Sequence, residues 1–342
     1  MRYMKKILLI GAQSADYLNI MTINGLMSLE SVSLDIFPDC NLIQRSDADF
    51  FRDSLRGNGF TIFFENSKKP NVIHDIHHAL SNTKYDLIIL SDIFVNFYFV
   101  SLVMKYKRIF KKLVILDGSD SENLFPYQNS FLGIRNILQL PNLFKDYYYF
   151  KREYTCNTIQ SRYWNIAPML YSKKVYESGE FYNIKKISFS IPESKIIHPK
   201  SLTKKKLFVS HIVDDEISNH ISGSNTGYLF TTEDEYFKDI QESKYGITTR
   251  RSGWDCLRHY EIAANGAVIC FRDLNKKPKY CAPHDLIPGK NCISYTDYND
   301  LIDQINNITD DNYKNLQQET YEWISTKTCK YLAKELISES NI

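Results

Sequence analysis

The chain has 342 residues, too many for one ordinary core and enough for two units of roughly 150 residues each. Hydrophobic residues make up 43% and charged residues 24%, which excludes wholesale disorder. Forty-two basic and forty acidic side chains leave a net charge of +2, so no overall field favours nucleic acid and none is expected as a partner.

The N-terminus carries basic residues, then the short apolar run Ile7 to Ile10, then Gly11, Gln13 and Asp16. A secretory signal would stay apolar for longer and end in small residues, so a first strand is expected. The most apolar window, residues 93–104, is shorter than the ~20 residues of a membrane-spanning helix, and a buried helix is expected there. The cysteines number seven, and without an export signal they are expected to be reduced thiols of a cytoplasmic protein.

In chain order, the first half alternates strand-like and helix-like segments. Strands are predicted at 6–11, 32–37, 60–64, 86–91 and 113–116. Their short runs of Ile, Leu, Val and Phe suit a parallel sheet buried on both faces. Helices are predicted at 48–56 and 71–81, the second carrying His74, His77 and His78 at exposed spacing. This alternation predicts a doubly wound α/β unit. Residues 141–190 look less regular. They include the basic, aromatic segment 144–154, which offers a membrane-surface contact or interdomain packing, with packing preferred. Lys151, Arg152 and Glu153 within it read as a solvated helix face rather than cleft lining. A proline-containing polar stretch near 185–205 divides the chain into units 1–190 and 191–342. The second unit is expected to hold strands at 207–213, 228–231, 245–248, 267–271 and 292–295, and a helical tail at 309–337.

The chemistry concentrates in residues 243–274. A strand at 245–248 leads into a polar turn with Arg250, Arg251 and Gly253. A helix is predicted from Trp254 to Ala264, closed by Asn265-Gly266. On that helix Trp254, Arg258, Glu261 and Asn265 are spaced i, i+4, i+7 and i+11, on one face. Ligands of open parallel sheets sit at strand carboxyl ends and helix N-termini. There the free amides, the helix dipole and the arginines suit a diphosphate, and Glu261 suits ribose hydroxyls. The plainer reading, an Arg258–Glu261 surface ion pair, stays open on spacing alone.

Ser243, Lys244, Gly246, Gly253, Arg258, Glu261 and Gly266 resemble the pattern in C-terminal domains of bacterial GT-B glycosyltransferases, including spore-maturation-like and family-1-like members. Residues 286–305 are similar to the loop, strand and helix that follow in those proteins. The resemblance covers roughly a quarter of the chain, and fold alone does not set function. It implies two Rossmann-like doubly wound domains facing a cleft. It also implies transfer of a hexosyl or related group from a nucleotide-diphosphate donor to a glycan, lipid-linked or protein acceptor, in surface polysaccharide or glycoconjugate synthesis. By resemblance Arg258 would hold the phosphates and Glu261 the ribose, with no resident cofactor and no metal ion. The expected location is cytoplasmic, with peripheral contact at the inner membrane face. Retaining members often carry a second glutamate eight positions earlier, where this chain has Gly253, so neither stereochemical outcome is implied. A non-catalytic nucleotide-sugar-binding protein and a nucleotide-sugar epimerase are the alternatives.

A proton acceptor is expected from the first unit, across the cleft. Asp117, Asp120 and Glu122 follow the strand at 113–116, which makes Asp117 and Asp120 the expected catalytic carboxylates. A helix-capping turn is the competing reading. The loop from Gly11 to Asp16 is placed to touch the acceptor. It lacks G-x-G-x-x-G, which argues against a nicotinamide cofactor. Cys256-x-x-His259 and Cys281-x-x-His284 have zinc-ligand spacing, but the first pair lies inside the donor motif and no metal is expected.

Overall fold

A computed structural model describes residues 4–11, 16–39, 60–61, 69–107, 110–125, 143–162, 169–179, 181–227 and 229–342. The predicted helix at 48–56 and most of the predicted strand at 60–64 lie outside these residues.

The first sheet has seven strands in the order β3-β2-β1-β4-β5-β6-β7, all parallel. They are β1 (Lys5–Ile10), β2 (Val32–Phe37), β3 (Asn71–Val72), β4 (Tyr85–Leu90), β5 (Phe110–Asp117), β6 (Tyr148–Lys151) and β7 (Ile184–Lys186). The second is a parallel sheet of β8 (Lys206–Phe208), β9 (Ser243–Thr248), β10 (Val268–Arg272) and β11 (Cys292–Tyr295). Every residue of β4 is buried, and β1 and β5 end in four and five buried residues, as central parallel strands covered on both faces require. This is the expected α/β architecture, with one parallel sheet in each of two units.

Several predicted elements differ. Asn71 and Val72 form an edge strand, and the helix expected from 71 is α1 of this region, Ile76–Asn82, started by the Asp75 side chain on His78 N. His74, His77 and His78 are exposed. The apolar window at 93–104 breaks into two short helices, Ile93–Asn96 and Tyr98–Lys105. No strand forms at 229–231, and the one expected at 207–213 ends at Phe208. Two strands, β6 and β7, arise in the stretch read as irregular. Phe144, Tyr149, Phe150 and Tyr154 are buried there, so the aromatic segment is core, not a membrane-facing surface. Among the described residues no helix is long and apolar enough to cross a membrane.

The helical tail is two helices, α2 (Asp310–Ser325) and α3 (Cys329–Glu339). The last one returns to the first unit, packing on the helix Tyr17–Met27, where the Cys329 thiol meets the Met21 sulfur at 3.4 Å. Residues 187–191 run between the sheets, and Ile191 exchanges backbone hydrogen bonds with Lys327 and Cys329 at 3.0 and 2.9 Å. This crossing sets how the two sets of strand ends face each other.

Candidate active site

A cleft of about 800 Å³ opens where the carboxyl ends of the two sheets meet. That volume suits a nucleotide-sized ligand. On the first unit the chain runs β1, β2, β3 to one side and resumes with β4 on the other, so the switch point lies between β1 and β4. Open α/β sheets bind ligands in the crevice at that point. Asp16 follows β1 and Asp92 follows β4, and both line the cleft with Asp120.

These carboxylates are not alike. Asp16 caps the helix Tyr17–Met27 through Leu18 N at 3.0 Å, while its other oxygen is buried without a hydrogen-bond partner among the described residues. Burial raises its pKa. Asp92 sits at φ 46°, a left-handed backbone that a non-glycine residue adopts at some cost. Burial, reinforced by the nearby charges of Asp16 and Asp117, pushes its pKa up to about 7.

Asp117 corrects the sequence expectation. Its side chain has no exposure and faces Lys151 at 2.9 Å. It also accepts from Tyr149 Oη at 2.7 Å and from the Ser119 hydroxyl at 2.7 Å. A carboxylate so neutralised and covered cannot meet an acceptor hydroxyl. Asp120 does reach the cleft, with 44% of its side chain exposed, but pairs with Arg152. Glu122 takes Thr155 Oγ1 and Asn157 Nδ2 at 2.9 and 2.8 Å, the turn-capping role.

Lys151, Arg152 and Glu153 are buried at the end of β6, not a solvated helix face. Arg152 donates to Gly118 O at 2.9 Å and to Asp255 O at 2.8 Å. Glu153 accepts from the amides of Trp254 and Asp255 at 2.9 and 3.3 Å. This seam explains Gly253: a Cβ there would lie 2.6 Å from Glu153 Oε1 and 2.7 Å from Asp120 Oδ1.

The second wall is built by the turn after β9 and the helix α4 (Leu257–Ala264), which starts three residues later than expected. Cys256 caps it without a side-chain hydrogen bond, and the His259 N–H turns back to Cys256 O at 3.1 Å. Gly266, at φ 71°, closes it in the left-handed conformation that the Asn-Gly pair predicted. Arg251, Gly253, Arg258 and Glu261 line the cleft. Arg250 and Trp254 do not join them: Trp254 precedes the helix and is buried beside Phe271, and Arg250 stacks on its ring at 5.1 Å, exposed. The shared face therefore reduces to Arg258 and Glu261.

Arg258 is not in a surface ion pair. Its terminal nitrogen meets His211 Nε2 at 2.7 Å, and its Nε is buried without a hydrogen-bond partner among the described residues. A guanidinium can only donate, so Nε2 accepts and the His211 proton sits on Nδ1, which faces Asn225 O at 3.3 Å. Burial and the Arg258 charge push the His211 pKa down to about 4, keeping the ring neutral. Glu261 is buried, which raises its pKa, and it accepts from Thr61 Oγ1 at 2.6 Å and Tyr236 Oη at 2.8 Å.

The two Cys-x-x-His pairs are spent on packing. His259 bonds Thr248 Oγ1 and Trp254 O, both at 3.0 Å, and His284 bonds Ile187 O at 3.3 Å. Cys281 donates to Tyr154 O at 3.5 Å. Among the described residues no group of three or more His, Cys, Asp or Glu could hold a metal.

Sequence reasoning missed Asp92, His211 and Tyr236. Only Asp92 left a signal, an acidic residue directly after a strand-like run. His211 and Tyr236 enter the site through contacts with the helix that lies 47 and 25 residues further on.

No family model and no curated protein sequence matches the chain. Among solved structures, it is similar to Anabaena HepE in complex with UDP and glucose, with a TM-score of 0.52 and 11% identity over 98% of this chain and 99% of that one. It is also similar to sucrose-phosphate synthase from Thermosynechococcus elongatus (TM-score 0.48, 10% identity, 98% of each chain). A third is UDP-GlcNAc 2-epimerase from Neisseria meningitidis bound to UDP-GlcNAc (TM-score 0.44, 10% identity, 98% and 99% coverage). At such identities the likeness is one of fold: two Rossmann-like units across a cleft, the GT-B arrangement.

Proposed function

We propose that the protein is a glycosyltransferase that takes a sugar from a nucleotide-diphosphate donor. The observation that carries this reading is the opposition of charge across the cleft. Arg258 presents on one wall a buried donor without a hydrogen-bond partner among the described residues, and Asp92, with a pKa of about 7, stands on the other. A buried donor without a partner is costly unless a ligand completes it. The fold shared with HepE, whose structures hold UDP or UDP-glucose, supports a nucleotide sugar as that ligand.

In this reading residues 191–342 bind the donor and residues 1–190 the acceptor. Arg258, Arg251 and the first-turn amides of α4 take the diphosphate, and Glu261 takes the ribose. Asp92, deprotonated, receives the proton of the acceptor hydroxyl as that oxygen attacks the anomeric carbon. The bond to the leaving nucleotide diphosphate breaks, and its growing negative charge falls on Arg258 and Arg251. No resident cofactor or metal takes part. The acceptor is a glycan, a lipid-linked sugar or a protein, in polysaccharide or glycoconjugate synthesis at the cytoplasmic side of a membrane.

Calorimetry of the full chain against UDP, GDP, CMP and dTDP sugars tests the reading, followed by product analysis. Binding with slow hydrolysis, and transfer when an acceptor is present, is expected. Binding with no turnover under any acceptor would make the protein a sugar-nucleotide binder, and an isomeric nucleotide sugar formed without acceptor would make it an epimerase. No binding of any of the four would end the proposal.

A further inference from the structure

The carboxylate assigned above to the donor ribose is already occupied by the protein itself. Phe60 and Thr61 belong to the first unit by chain position but lie against the second. Thr61 is buried, and its backbone N–H donates to Glu233 Oε1 at 2.7 Å. Its hydroxyl donates to Glu261 Oε1 at 2.6 Å. Phe60 stacks on the Tyr236 ring, with centroids 5.7 Å apart and planes 24° from parallel, and the Tyr236 hydroxyl takes the other oxygen of Glu261. Glu233 is held in turn by Lys195 at 2.6 Å.

Two features set this contact apart from ordinary packing. Thr61 has φ 71°, a backbone region that a β-branched residue leaves unless its surroundings hold it there. Its hydroxyl also presents to Glu261 the same chemistry a ribose would, an aliphatic O–H donated to a buried carboxylate. Phe60, Tyr236 and Glu261 all line the cleft, so the contact lies within the donor space.

We infer that the Thr61 hydroxyl is an intramolecular stand-in for a ribose hydroxyl, so that a nucleotide must displace Thr61 from Glu261 to bind. The inference rests on the donor site proposed above and adds its regulation. Donor binding and the Thr61 contact become mutually exclusive uses of one carboxylate. The strained backbone of Thr61 favours release once a ligand hydroxyl is available. Any factor that draws Phe60 and Thr61 away raises donor affinity, and any that holds them lowers it.

The test is calorimetry of the full-length protein with UDP, GDP and inorganic pyrophosphate, comparing wild type, Thr61→Val, Thr61→Ser and Phe60→Ala. Thr61→Val keeps the shape and removes the donated hydrogen bond. It is expected to tighten the nucleotide Kd about tenfold and leave pyrophosphate, which has no ribose, within about twofold. Thr61→Ser restores the wild-type value. Phe60→Ala, which keeps the threonine but loses the stack, tightens nucleotide binding in the same direction and serves if Thr61→Val does not fold. Unchanged or weaker nucleotide binding in Thr61→Val and Phe60→Ala, with the wild type still binding, overturns this inference alone. Equal tightening toward pyrophosphate also overturns it, because the segment would then block the phosphates. A wild type silent to UDP, to GDP and to all four sugar nucleotides of the earlier test removes the donor site and this inference together.

Discussion

The two walls of the cleft handle buried charge in opposite ways. On the first unit, Asp117 and Asp92 both stand at the carboxyl end of a central strand, yet Asp117 is neutralised by Lys151 while Asp92 keeps company with other carboxylates. On the second, Arg258 meets a neutral imidazole, lies within reach of Tyr236 and Glu261, and keeps one buried nitrogen without a hydrogen-bond partner among the described residues. A buried charge with a partner supports the fold. One without a partner is expensive and marks the place where a ligand or a proton is expected.

Breaking the acidic wall should have the largest effect. Asp92→Asn is expected to lower kcat by about 100-fold or more, the span of a general base, with donor affinity unchanged in calorimetry. The wild-type rate should rise through about pH 7 as Asp92 loses its proton, and the variant should lack that limb. Stability should run the other way. The folded state holds this proton up to about pH 7, whereas an unfolded aspartate releases it near the usual carboxylate range. Between those values the native state binds more protons, so stability falls as pH rises, and Asp92→Asn removes that fall. A pH–rate limb that survives in the variant would place the base elsewhere.

Asp117→Ala tests the neutralised member of the pair. It leaves Lys151 buried without its carboxylate and should cost about 3–5 kcal/mol of stability, read as a lower denaturant midpoint. If folding is intact and only turnover falls, Asp117 belongs to the chemistry after all. On the cationic wall, Arg258→Ala should weaken UDP binding by about 10- to 100-fold, the worth of hydrogen bonds to a charged group. Arg250→Ala, outside the cleft, should change it less than about twofold. Equal losses would undo the distinction between the two arginines. Smallest is Gly253→Ala, whose Cβ must push Glu153 and Asp120 aside at an expected cost of about 1–3 kcal/mol in thermal unfolding, as overpacking does.

Much of the frame was legible in the chain. The runs at 32–37 and 292–295 became β2 and β11 without shift, because short segments rich in Val, Leu, Ile and aromatic residues favour strands. Asn265-Gly266 stopped the helix as expected, since only the backbone at Gly266 needs a positive φ. The short strands β6 and β7 were not legible. Phe144 to Tyr154 mixes aromatic and charged residues, and Lys151, Arg152 and Glu153 look solvent-bound until Asp117, Asp120 and the Trp254 amide are brought to them. The Trp254–Arg258–Glu261 face failed at its first member because the helix begins at Leu257, and helix starts depend on capping contacts that spacing does not carry.

The sequence by itself determined the two alternating α/β halves, the strand–turn–helix that carries Arg258 and Glu261, and the acidic residues at strand ends. These follow from local propensity, hydrophobic period and capping, all of which act over a few residues. Which acidic residue is neutralised and which is not was decided only in three dimensions. The partners that choose are distant in the chain: Lys151 for Asp117, Asp16 for Asp92, Thr61 for Glu261. A carboxylate's role is set by what water is replaced with, and that replacement exists only after the sheets, the crossing segment 187–191 and the returning C-terminal helix have brought the two walls together.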